Sequence, residues 1–256
     1  MTAETQVVAE ALARAGVPHD GVLFVHSAFR RLGAQGFRVD AFIEALLEYM
    51  HRGTLVMPTM TWRVVTPASP TFDELATVSH VGVAAERFRI AYSTHRSLHP
   101  THSVAAYGKL AAALTSEHHL DGTPCALTSP YGKARQEDAH VLLLGIGLER
   151  CTAIHHAEEI VAPEIYLVPP EAAVTYELRS RDGTVHEMRL RGHTKLNRDF
   201  PQFAVSLTVR GQMRHGELVG TPWQAVAQKD LLDEVFAALE RDPRAIIAPP
   251  GAPAIP

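Results

Sequence analysis

Residues 141 to 159 read Val141-Leu142-Leu143-Leu144-Gly145-Ile146-Gly147-Leu148-Glu149-Arg150-Cys151-Thr152-Ala153-Ile154-His155-His156-Ala157-Glu158-Glu159. The apolar part is too short for an independent helix. It ends in Gly-x-Gly and opens into a segment dense in His and Glu, as a buried strand delivering polar groups at its end would. The strand supplies rigidity and the segment after it supplies chemistry.

The flanks place this strand in an α/β chain. Val7, Val8, Ala11, Leu12 and Ala15 carry helical spacing, and Gly16-Val17-Pro18 ends that helix. Gly21 to Val25 reads as a buried strand that runs into His26-Ser27-Ala28-Phe29-Arg30-Arg31-Leu32-Gly33. A loop with a hydroxyl, two arginines and a glycine suits a phosphate or pyrophosphate, and equally suits a surface turn. A helix over Val39 to Met50 and a strand over Gly53 to Trp62 complete a βαβ unit, which predicts a largely parallel sheet.

Further along, residues 64 to 80 are Pro-rich and irregular, followed by a short helix over Val81 to Ile90. Gly108 to Leu114 looks helical, Ser129-Pro130 reads as a helix start, and its free N–H groups are a second phosphate candidate. Residues 165 to 192 alternate on both sides of Arg181-Asp182-Gly183-Thr184, a β-hairpin signature. Phe200 to Leu207 and residues 229 to 241 have helical spacing, and the Pro-rich tail from 246 to 256 should be extended. One domain over 1 to 245 with a hairpin excursion is the simplest account.

Composition narrows the function classes. A hydrophobic fraction of 46% with 20% charged residues excludes disorder, and no apolar run is long enough to span a membrane. The net charge of −4 gives no basic field for nucleic acid. Cys125 and Cys151 lack metal-ligand spacing and read as reduced thiols, and the first residues carry no signal-like basic region, so the cytoplasm is the expected compartment. Seven of the fifteen histidines cluster at 95 to 102, at 118 and 119, and at 155 and 156.

Thr152 is placed to cap a helix opening at Ala153, with His155 in its first turn and Glu158 on the same face. Such a pair lets the carboxylate hold one ring N–H and leaves the other nitrogen as a base. His156 and Glu159 repeat the spacing, so spacing alone does not choose between them. A structural ion pair, a metal site adding His99 and His102 for a metal-dependent hydrolase, and Cys151 as a nucleophile all stay open at this point.

His26-Ser27, Leu32-Gly33, Gly53 to Thr59, the run Arg96 to Gly108, Ser129-Pro130-Tyr131-Gly132-Lys133, and Leu142 to Gly145 leading to Thr152-Ala153-Ile154-His155-His156-Ala157-Glu158 occur in one order. In this the chain resembles the aminoglycoside 3-N-acetyltransferase (antibiotic N-acetyltransferase) family, from about residue 5 to 240. The resemblance implies a three-layer α/β/α fold with a mostly parallel or mixed sheet, distinct from the GNAT acetyltransferases. It implies acetyl-CoA as co-substrate and a small-molecule primary amine as acceptor; no nucleic acid, membrane or resident metal is expected, and the expected form is a monomer or homodimer.

By the same resemblance His155 is the catalytic base and Glu158 orients it. His26, Ser27, Arg30, Arg31, Gly33, Ser103, Ser129, Tyr131 and Gly132 border the CoA pocket, and Ser103 or Thr152 would donate to the thioester oxyanion. His156 stands where Leu or Tyr is the family pattern, so it is a substrate-side candidate beside His102. Pro124 to Pro130 also departs from the pattern, and Asp73 and Glu74 are the main acids in the loops from 63 to 80. A polycationic acceptor wants several carboxylates, so an aminoglycoside, an amino sugar or another natural-product amine all remain candidates.

Overall fold

The computed structural model describes residues 2–252. Helix α1 (Ala3–Ala15) leads to β1 (Val22–Ser27), the short α2 (Arg30–Gly33), α3 (Val39–Tyr49) and β2 (Thr54–Pro58). β3 (Thr71–Asp73), α4 (Val83–Ala91), β4 (His95–Arg96), β5 (Val104–Gly108), α5 (Ala111–Thr115) and α6 (Pro130–Ala134) follow. Then come β6 (Ala139–Leu144), α7 (Ile154–Val161), α8 (Pro163–Tyr166), the hairpin β7 (Val174–Arg179) and β8 (Val185–Leu190), and α9 (Gln202–Val209). β9 (Met213–Leu218), β10 (Thr221–Ala227) and α10 (Gln228–Arg241) close the chain.

The main sheet has the order β4-β5-β2-β1-β6-β10-β9. β1 runs parallel to β2 and β6, and the outer pairings are antiparallel, so the sheet is mixed around a parallel centre. The apolar runs of β1 and β6 follow from burial on both faces. Leu23, Val25, Leu142 and Leu144 pack with α1, α3 and α4, whereas Val22, Phe24, Val141 and Leu143 pack with α7, α9 and α10. Three layers result.

Several expectations need correction. Val104 to Gly108 is a strand on β2, built from small residues, so its alternation is faint in sequence. Met213 to Ala227, which has no assigned element in the sequence reading, is a hairpin on the far side of β6. The segment expected to be irregular contributes β3, which pairs in parallel with β7 to make a second, three-stranded sheet. Val65, Phe72, Leu98, Tyr176, Leu178, Met188 and Leu190 give that sheet its own apolar core. The tail begins inside the fold, because Ile246 is buried and its carbonyl accepts from Asp199 N–H at 2.9 Å. Residues 253–256 lie outside the described residues.

Gly132 shows how tightly α6 is seated. A Cβ there would lie 2.4 Å from the Ala126 carbonyl oxygen and 2.6 Å from that of Leu127, both backbone atoms. Gly132→Ala should therefore destabilise by about 1–3 kcal/mol through overpacking, seen as a melting temperature several degrees lower. An unchanged melting temperature would show that α6 can move aside freely.

Candidate active site

α7 follows β6 through Gly145 to Ala153, so its first turn emerges at the carboxyl end of the parallel centre, where open α/β sheets bind ligands. Its register differs slightly from expectation. The helix starts at Ile154 with Ala153 at the cap position, no side chain caps it, and Thr152 takes part through its carbonyl, which accepts from His155 N–H at 3.1 Å. Thr152 as a side-chain cap is thus corrected.

Glu158 is fully enclosed. Its Oε2 accepts from His155 Nδ1 at 2.8 Å, and its Oε1 accepts from Arg198 Nε at 2.8 Å. Burial alone would raise the pKa of this carboxyl group, but His155 and Arg198 outweigh it and hold the group down at about 2. Glu158 is therefore acceptor-only, so the neutral form of the His155 ring has its proton on Nδ1 and its lone pair on Nε2.

The His155 ring is bounded on three sides. His193 stacks on it with centroids 4.2 Å apart and planes 26° apart, Phe200 meets it edge-on at 5.2 Å, and His102 lies perpendicular at 6.5 Å. His193 was not anticipated. It sits in the loop between β8 and α9, where no local pattern marks it, and it comes to the site only because that loop folds over α7. The excess of histidine was the available signal.

His193 has its own carboxylate. Its Nε2–H donates to Glu159 Oε1 at 2.6 Å, and the Glu159 oxygens accept from Cys125 N–H at 2.9 and 3.0 Å. Burial drives the Glu159 pKa up to about 7, against the pull of hydrogen bonds from Thr123 and Cys125. Burial and the neighbouring His155 push His193 well below the ordinary imidazole value. His99 is enclosed and its Nδ1 accepts from Thr101 and His102 N–H, at 3.1 and 2.9 Å, which removes it from the candidate metal set.

Other predicted site residues fall elsewhere. His156 Nδ1–H donates to the Cys125 carbonyl at 2.7 Å and its ring packs on Phe236, so it faces the core and not a substrate. Ser103 gives its hydroxyl proton to the Thr59 carbonyl at 2.8 Å and accepts from Arg96 Nε at 3.2 Å, which leaves it no proton for an oxyanion. Ser129, Tyr131 and Gly132 are buried. Ser129 Oγ spends its proton on Ala126 O at 2.6 Å and accepts from Gly132 N–H at 3.1 Å, and the Tyr131 ring packs on Phe24, so these residues build a wall and present nothing to a cofactor. Cys151 is enclosed, and burial pushes its thiol up to about 12, against a nucleophilic role.

Asp73 Oδ1 accepts from Leu75 and Ala76 N–H at 2.9 and 2.7 Å, closing a turn. Glu74 is buried and takes Arg181 Nε at 2.6 Å together with Arg181 N–H at 2.9 Å. Both acids are thus structural. Arg96 ties the same region together, donating to the carbonyls of Glu74, Thr77 and Thr59 at 2.9, 2.7 and 3.2 Å while lying over Phe72. Burial brings its pKa down to about 9.

The loop after β1 borders the same end of the sheet. Ala28 N–H donates to Leu144 O at 2.9 Å, and a Cβ on Gly145 would touch Ala28 O and Arg31 Cδ, both at 3.4 Å. His26 is buried, and burial lowers its pKa to about 4. Ser27 and Gly33 are half-buried. Arg30 and Arg31 are exposed and form no ion pair within 4.0 Å among the described residues. Two unengaged guanidinium groups at the carboxyl end of β1 fit the phosphates of a CoA thioester.

The sequence profile of aminoglycoside 3-N-acetyltransferases matches residues 24–240. The chain belongs to this family. Aminoglycoside N(3)-acetyltransferase IV of Salmonella sp is 28% identical over 239 residues, 92% of this chain and 87% of that protein. The aminoglycoside N(3')-acetyltransferase-like protein YokD of Bacillus subtilis is 27% identical over 174 residues, 60% of this chain and 64% of its own length. Among solved structures, a His-to-Ala mutant of AAC(3)-IVa in complex with a gentamicin superposes with a TM-score of 0.81 at 25% identity, over 98% of this chain and 93% of that one. As an aminoglycoside 3-N-acetyltransferase family member the chain is an acetyltransferase with acetyl-CoA as co-substrate, and the fold is the family's and not GNAT. No helix among the described residues is long and apolar enough to cross a membrane.

The Glu159 carboxyl group has a pKa above its unfolded value, so folding favours the protonated form. Its stabilising contribution is complete below the unfolded pKa and is lost as pH rises through about 7. Glu159→Gln removes that titration. The melting temperature of the variant minus that of the parent should increase between about pH 5 and about pH 8. A difference that is flat or falls with pH would show that Glu159 is ionised at no cost.

Proposed function

We propose that this protein transfers the acetyl group of acetyl-CoA to a primary amine of an aminoglycoside or a related amino sugar, with His155 as general base and Glu158 as its orienting carboxylate. The observation that carries the reading is the Glu158 bridge, with His155 Nδ1 on one oxygen and Arg198 Nε on the other. It is supported by family membership and by the gentamicin complex of the AAC(3)-IVa variant to which the chain is similar.

Acetyl-CoA supplies the activated acetyl group. The residues of this chain do the rest. Arg30 and Arg31, with the backbone around Ser27 and Gly33, hold the phosphates at the carboxyl end of β1, as their exposure and freedom from ion pairs suit them to do. His155 Nε2 accepts the proton that the acceptor amine loses as its nitrogen forms the new bond. Glu158 keeps the proton on Nδ1, and Arg198 keeps Glu158 ionised, so that a positive charge arising on the imidazole is met by a fixed carboxylate. His102, perpendicular to His155, lies on the acceptor side. A cytoplasmic location and a single domain through the terminal helix complete the proposal.

His155→Ala should lower kcat by about 10²- to 10⁴-fold, the range for losing a positioned base, while the affinity for CoA measured by calorimetry stays close to that of the parent. Thiol release and the mass gain of the acceptor are the readouts, with gentamicin, sisomicin and apramycin as first acceptors. Full activity in this variant would remove His155 from the mechanism. Activity lost on chelation and restored by zinc would instead favour metal-dependent hydrolysis.

A further inference from the structure

The site contains two histidine–glutamate pairs side by side, and the mechanism above uses one. In the first, Nδ1 of His155 is held by Glu158 and Nε2 has no hydrogen-bond partner among the described residues. In the second the nitrogens are exchanged: Nε2 of His193 is held by Glu159, and Nδ1 has no such partner. Neither unpartnered nitrogen is among the enclosed polar atoms, although the side chains are only 17% and 11% exposed, so each keeps some access to solvent. The rings lie one over the other at 4.2 Å, and the half-buried His102 closes on His193 at 5.2 Å.

A ring that only covered His155 would need no polar partner, and phenylalanine would serve. The chain instead keeps Glu159 buried, at the cost of desolvating a carboxylate. It fixes both Glu159 oxygens with Cys125 N–H and aims one of them at His193 Nε2. Above about pH 7, where Glu159 is ionised, this arrangement holds a proton on Nε2 and so leaves the lone pair on Nδ1, the same device that prepares His155. The charged groups around His193 are Glu159, Glu158 and Arg198, with His155 and His102 as the neighbouring imidazoles.

We propose that His193, held by Glu159, is a specificity-determining residue whose Nδ1 accepts a hydrogen bond from a second donor group of the acceptor, next to the amine that His155 deprotonates. The acceptor class is then an amine with a hydroxyl or further amine on an adjacent or next-adjacent carbon, an amino alcohol or a diamine. The proposal rests on the acetyltransfer reading for the identity of the acceptor, but the state of His193 is measurable without turnover.

Long-range ¹H–¹⁵N spectra of the histidine-labelled full chain at about pH 8 should show His193 protonated on Nε2 and not on Nδ1, with His155 in the opposite tautomer. Titration with trans-2-aminocyclohexanol should shift the His193 Nδ1 resonance more than titration with cyclohexylamine does. In kinetics, His193→Ala should reduce the ratio of kcat/KM for the amino alcohol to that for the simple amine by about tenfold, the worth of one hydrogen bond to a buried partner. The loss should reside in KM, and His193→Gln, which retains an acceptor atom, should recover part of it. A proton on His193 Nδ1, or equal losses in kcat for both amines, overturns the proposal and leaves His193 as packing for His155. If no amine is acetylated, the acetyltransfer reading fails, while the tautomer and the two titrations still decide for or against His193.

Discussion

The site depends on one carboxylate placed where no water reaches it. Glu158 is fully buried, which by itself is costly, and it stays ionised because His155 and Arg198 each take one of its oxygens. Removing either partner would leave a buried charge half-compensated. The arrangement also couples distant parts of the chain. His155 and Glu158 lie on α7, whereas Arg198 comes from the segment between the hairpin and α9, and that segment is held by the chain end through the Arg198–Ile247 bridge and the bond from Asp199 N–H to Ile246 O. His155 is thus oriented, through Glu158, by residues that arrive late in the sequence.

The second sheet is what brings those residues back. β3 pairs with β7, and Arg96 and the Glu74–Arg181 pair fasten this small sheet to the loops after β2 and before β5. The Leu167–His193 bridge then sets where the strand exit crosses α7. The His193–Glu159 pair and the Leu167–His193 bridge hold the His193 ring stacked on His155. Asp73, Glu74 and Ser103 are site candidates in the sequence, yet they, like Arg96, are consumed in shaping the loops around them.

The parallel centre of the fold was legible because a strand buried on both faces reads as a near-continuous apolar run, as Val22 to Val25, Leu55 to Met57 and Val141 to Leu144 do. The hairpin of β7 and β8 was legible from its alternation and its Asp-Gly turn. β9 and β10 were not, because β9 is an edge strand with exposed Arg214 and His215, and Pro222 opens β10 against the usual strand signal. His155 and Glu158 came from the family motif and not from spacing, which His156 and Glu159 satisfied as well. The structure separates the two pairs by direction: His156 turns into the core, while Glu159 reaches to a histidine 34 positions away in sequence. No rule of local periodicity contains that pairing.

The same directions bear on how the cleft treats charge. Asp73, Glu74, Glu158 and Glu159 all have fixed partners in the protein, and burial lowers the pKa values of His99, His102 and His193, which favours their neutral forms. In the proposed reaction an amine beside His155 meets neutral rings, His193 foremost, in place of a free carboxylate, while the enclosed His99 spends its lone pair on backbone N–H groups. Such surroundings solvate an ammonium poorly and accept hydrogen bonds from a neutral amine well, which shifts the amine toward its unprotonated form. That form is the nucleophile. Under the proposed mechanism, using the available carboxylates to orient imidazoles, and leaving imidazoles to face the acceptor, assists the proton loss assigned to His155.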